Sequence, residues 1–179
     1  MIVIYNMFIE YIQISYHRLI WVLLFSCIFF VGFFLATKNR NRWSMPCLAM
    51  LSLACSFIFV MTLFSRHVAE YEISLIPFLS YYKAYKVNNA ELWLQIIMNI
   101  AMYIPIGFAL PGCFSRMNKL WKVLVLVLIC SIGIETIQYI FSIGYAEVDD
   151  VIDNMFGTLI GYSLYVIFER CCRKLKKES

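Results

Sequence analysis

Leu19–Ala36 reads LIWVLLFSCIFFVGFFLA, without a single charged side chain. A helix needs about 20 mostly apolar residues to cross about 30 Å of hydrocarbon, so this stretch is a membrane span. Working outward, four more stretches meet the same requirement: residues 45–64, 92–110, 121–141 and 151–168. The fifth is the weakest, because Asp153 and Asn154 fall in its first turn. Composition agrees with the local reading. Of 179 residues, 63% are hydrophobic and 15% are charged, against about 45–50% and about 25% in a soluble domain. Water cannot solvate that much apolar surface. The expected fold is therefore all-α, a polytopic bundle of about five transmembrane helices forming one membrane domain over residues 1–179.

The charges alternate along the chain. Lys38, Arg40 and Arg42, then Arg116, Lys119 and Lys122, then Arg170, Arg173, Lys174, Lys176 and Lys177 all fall on one side of the spans. Opposite them lie a charge-balanced loop, 66–91, and an acidic one, 142–150. Lys/Arg bias places the basic side in the cytoplasm, so residues 169–179 form a basic cytoplasmic tail and the N-terminus lies outside. Met1–Tyr16 is apolar but carries Glu10, and reads as an interfacial or helix-extending segment. The net charge of +4 comes from short runs beside apolar segments, which is no nucleic-acid patch. Seven cysteines, an odd number without metal-site or redox-pair spacing, read as ordinary thiols. No cofactor or metal site is implied, and membrane lipids are the expected surroundings. The oligomeric state has no signature in the chain.

Polar groups inside spans carry the functional signal, since an ionisable one costs at least about 2.5–3.5 kcal/mol there. Ser131, Glu135, Gln138 and Ser142 share one face of the fourth span, and Asp150, Asn154, Gly157 and Gly161 repeat that spacing in the fifth. Gly157 and Gly161 form a small-xxx-small helix-packing pair. A short loop joins these two spans, so they are expected to pack antiparallel, with Gly157 leaving room beside Glu135. Asn99 enters from the same side in the third span. The expectation is one polar cluster of Asn99, Glu135, Gln138, Asp150 and Asn154, with Glu147, Asp149 and Asp153 at its rim. Burial would favour the protonated form of Glu135, suiting it to proton transfer or cation binding. Arg66 and His67 would supply a counter-charge from the end of the second span. The plainer alternative is that the amides join helices and that Asp149 or Asp150 caps its own helix. No hydrolase triad, zinc motif or phosphate-binding glycine loop occurs, so catalytic residues are unassigned, with Glu135 the one candidate.

Three stretches resemble the VanZ-like family of bacterial membrane proteins. They are Leu75-Ile76-Pro77-Phe78; Asn99 through Pro105 to Gly107; and Glu135-Thr-Ile-Gln138 followed by Asp149-Asp150, Asn154, Gly157 and Gly161. An Arg found shortly before the acidic pair in many members has no counterpart in residues 144–148, which look more like the glycopeptide-resistance branch. The resemblance implies an all-helical protein of the bacterial cytoplasmic membrane that lowers susceptibility to teicoplanin-type lipoglycopeptides, with the drug or a cell-wall precursor as partner. An intramembrane enzyme acting on a lipid-linked or peptidoglycan headgroup, with Glu135 as general acid or base, is the alternative.

Overall fold

The structure is a computed structural model that describes residues 16–37, 44–64 and 73–178. The elements run α1 (Tyr16–Ala36), α2 (Ser44–Phe59) continued by a π-helical turn (Val60–Phe64), β1 (Ile73–Ser74), α3 (Leu79–Val87) and α4 (Ala90–Cys113). A 3-10 turn (Ser115–Met117), α5 (Leu120–Phe141), β2 (Ala146–Glu147) and α6 (Val148–Glu178) follow. Among the described residues, five helices are long and apolar enough to cross a membrane, and α3 is not. The chain is an all-α polytopic bundle, and α3 is a short helix on the connection between its second and third spans.

Two helices differ from the expected bounds. Pro105 and Pro111 lie inside α4, which runs on to Cys113 instead of stopping at Pro111. α6 begins at Val148, so Asp149 and Asp150 stand in its first turn instead of in a loop. Its other end continues to Glu178, making most of the basic tail a helical extension with an Arg173–Glu169 pair at 2.7 Å. Met1–Ser15, Arg66 and His67 lie outside the described residues, and so do the expectations attached to them.

The core is formed by Leu48, Leu51 and Ile58 of α2, Tyr103, Ile106 and Leu110 of α4, and Val123 and Val127 of α5. α1 packs on α2 at the edge, where only Val22 is buried and Ser56 donates to its carbonyl at 2.5 Å. Leu23, Ile28, Val31 and Leu35 are exposed, as lipid-facing side chains of a peripheral span are.

The tightest helix pair is α4 with α6, not α5 with α6. A Cβ on Gly157 would stand 2.0 Å from the Ile100 carbonyl oxygen, and one on Gly161 2.0 Å from that of Ile104. On α4, a Cβ on Gly107 would stand 2.2 Å from the Thr158 carbonyl oxygen. Both glycines of α6 thus bring its backbone against α4, and the rising pairs 100–157 and 104–161 mean that the two helices run parallel. No glycine gap opens beside Glu135. The reason is energetic: without a hydrophobic drive between helices in lipid, close backbone packing decides which faces meet.

Candidate functional site

At the end of the bundle opposite the basic loops, β1 and β2 form a two-residue parallel pair, Ile73 with Ala146 and Ser74 with Glu147. This pair brings the connection before α4 against the turn between α5 and α6. The first turn of α6 then holds that connection through side chains.

Asp149 is 2% exposed, and its two carboxylate oxygens accept from the backbone N–H groups of Phe78 at 2.5 Å and Ser80 at 2.7 Å. These are the first N–H groups of α3, which have no intrahelical partner. Phe78 occupies the N-cap position with no side-chain cap of its own, at φ 63°, a left-handed conformation uncommon outside glycine. Asp149 therefore caps α3 from across the fold, besides lying in the first turn of its own helix. Its negative charge also suits the positive end of the α3 dipole. Ser80 Oγ donates to Glu147 Oε2 at 3.0 Å, and the Tyr81 hydroxyl donates to Asp153. Burial, and then the Asp153 carboxylate, push the Tyr81 hydroxyl well above the usual tyrosine pKa, keeping it a neutral donor.

The five polar residues expected to cluster instead form four separate links. Asn99 Nδ2 donates to Asp150 Oδ1 at 2.7 Å, both residues buried, joining α4 to α6. Asn154 Nδ2 donates to Ser131 Oγ at 2.7 Å, joining α6 to α5. Gln138, 1% exposed, turns the other way: its Nε2 donates to the Thr62 carbonyl at 3.0 Å. That carbonyl lies in the π-helical turn ending α2, where terminal carbonyls lack helical donors. Glu135 is only half-buried, and its Oε2 accepts the Glu147 backbone N–H at 3.0 Å. A helix face read from spacing is broad enough that Glu135 and Gln138 point to different neighbours.

Glu135 lines a cavity of about 270 Å³ with Ile132, Tyr139, Glu147 and Val151. It is the one residue of the five on that wall. The other four hold the helices that shape it. Sequence reasoning gave no role to Ser80, Tyr81 or Thr62. Ser80 and Tyr81 lie just past the Leu75–Phe78 stretch, after Leu79, and that proximity was the one available signal for them. Thr62 contributes a backbone carbonyl, which no residue type announces. Among the described residues, no three His, Cys, Asp or Glu side chains are placed to hold a metal ion.

Phe78 meets Asp149, Asn99 meets Asp150, and Glu135 meets the residue before α6. The three sequence stretches singled out above thus converge on the first turn of one helix. "Protein VanZ" of Enterococcus faecium is 38% identical over 71 residues, covering 40% of this chain and 44% of that relative. The matched part is thus less than half of that protein's length. No solved structure matches the chain. The family model described as VanZ/LLP1 matches residues 21–169, from α1 to the membrane-spanning end of α6, and the chain belongs to that family.

Proposed function

We propose that this protein lowers susceptibility to teicoplanin-type lipoglycopeptide antibiotics by reducing drug binding at the outer leaflet of the cell envelope. Lys/Arg bias puts the acidic end of the bundle outside, with the C-terminus in the cytoplasm of a bacterium. The observation that carries the reading is the cavity beside Glu135. Its lining is mostly apolar, Ile132 and Val151 included, and takes in Glu135 and Glu147. Teicoplanin-type drugs are amphiphiles, and a largely apolar cavity that takes in two acidic residues suits a molecule with a lipid tail and a polar body. The family membership and the likeness to Protein VanZ support the same reading.

The alternative is an intramembrane enzyme acting on a lipid-linked or peptidoglycan headgroup. Its supporting observation is the position of Glu135, a carboxyl group on a cavity wall with Thr136 and Tyr139 beside it. The test is teicoplanin against vancomycin susceptibility in a Gram-positive host carrying wild type, Glu135→Gln or no insert, with membrane levels measured by blot. Selective protection by wild type supports the resistance reading, and its loss in an equally abundant variant places Glu135 in the mechanism. A well-expressed wild type that protects against neither drug overturns it and leaves the enzyme reading.

A further inference from the structure

The cavity beside Glu135 has a neighbour. A second cavity, about 430 Å³, is lined by Ser74, Leu79, Lys83, Tyr145 and Glu147, and the two share Ile73, Leu75 and Glu147 as a common wall. Their linings differ in kind. The larger carries charges of both signs, Lys83 and Glu147. The smaller adds Glu135 to the shared Glu147 and is otherwise mostly apolar, with Ile132 and Val151 in its lining. Ile132 and Tyr139 are exposed on the outer face of α5, so this end opens sideways toward lipid.

Lys83 lies one turn after Ser80 on α3, on the face whose Ser80 hydroxyl bonds Glu147. It forms no ion pair among the described residues, whereas Lys86 lies over the Tyr82 ring at 5.5 Å. The surroundings set the depth. Leu75 and Ile76 of the lining are exposed, as are Phe78, Tyr82 and Tyr85 on the same connection and helix, the apolar and aromatic composition found at headgroup level.

We propose that the two adjoining cavities together hold one membrane lipid whose head carries both a phosphate and a primary ammonium. Lys83 takes the phosphate. Glu147, with Glu135 behind it, takes the ammonium. An acyl chain leaves along Ile132 and Val151. A primary ammonium is specified because it donates hydrogen bonds to carboxylates, which a quaternary choline head does not. Phosphatidylethanolamine and aminoacylated phosphatidylglycerol share this head chemistry. The inference goes beyond the drug reading and does not depend on it.

The test is native mass spectrometry of the full-length protein in detergent with an equimolar mixture of lipids having matched acyl chains. The mixture contains phosphatidylethanolamine, phosphatidylcholine, phosphatidylglycerol and lysyl-phosphatidylglycerol. The ammonium-bearing lipids should be retained about tenfold over the other two, the scale of one charge-assisted hydrogen bond. Whichever of the two dominates identifies the source. Glu147→Gln should erase the preference over phosphatidylcholine. Lys83→Ala, a change at an exposed position of α3, should lower retention of all phosphate-bearing lipids. Equal retention of all four by wild type overturns the proposal. So does unchanged retention and preference in Lys83→Ala with wild-type helicity, a result that stands even if Glu147→Gln fails to fold.

Discussion

Replacing Asp149 with Ala removes both acceptors from the first turn of α3. Hydrogen bonds to a charged group contribute about 1.5–3 kcal/mol each, and Asp149 makes two, to Phe78 and Ser80, at a buried site. The gross loss is therefore about 3–6 kcal/mol. Part is recovered, because nothing then holds Phe78 at φ 63°, and relaxing a non-glycine residue from the left-handed region returns about 1–2 kcal/mol. The net expectation is that local opening of α3 becomes easier by about 2–4 kcal/mol. By the factor of ten per 1.4 kcal/mol, protection of amides across Phe78–Val87 falls by about 30- to 1,000-fold. Hydrogen exchange with mass spectrometry on the reconstituted protein reads this directly. Peptides from the middle of α4 and α6 should keep their protection, because the glycine contacts that join those helices are untouched. Wild-type protection of α3 in Asp149→Ala would refute the capping role. Equal loss across all spans would show that Asp149 supports the whole fold and not one helix.

Three further outcomes follow from the packing. Gly157→Ala and Gly161→Ala each drive a Cβ into an α4 carbonyl that cannot rotate away, so each should cost about 1–3 kcal/mol or more. Gly133→Ala, with nothing within 4 Å, should be neutral or mildly stabilising; melting in detergent separates the cases. A double-mutant cycle on Asn99→Ala and Asp150→Ala should give a coupling of about 1–2 kcal/mol in the same melts, and additive effects would deny the bond. Asn154→Ala should lose about 1 kcal/mol, and Ser131→Ala should remove most of that sensitivity because the two side chains bond each other.

The exposed rim of the site separates fold from function. The side chains that hold the site together are buried, so substitutions there change helix packing along with any activity. Glu135, Glu147 and Lys83 are partly or wholly exposed on cavity walls. Glu135 and Glu147 also accept structural hydrogen bonds, so of the three a change at Lys83 reports most cleanly on a ligand.

The amino-acid sequence by itself determined the spans and the alternation of basic and acidic connections, and it singled out Asn99, Glu135, Gln138, Asp150 and Asn154 as polar groups within them. Each of these is local: hydropathy over one span's length and charge between spans need no knowledge of neighbours. It also singled out Gly157 and Gly161 as packing residues, but not the helix they face. That choice belongs to tertiary structure, because a small-residue face fits any backbone that comes close enough, and here α4 does, running parallel. The same holds for Asp149. Its place at the start of α6 suggested a cap for its own helix, yet the N–H groups it accepts from lie 71 and 69 positions earlier in the chain. The expected single cluster became four links for a related reason. Periodicity assigns residues to one side of a helix, and only the arrangement of surrounding helices decides that Gln138 meets Thr62 while Glu135 meets a cavity.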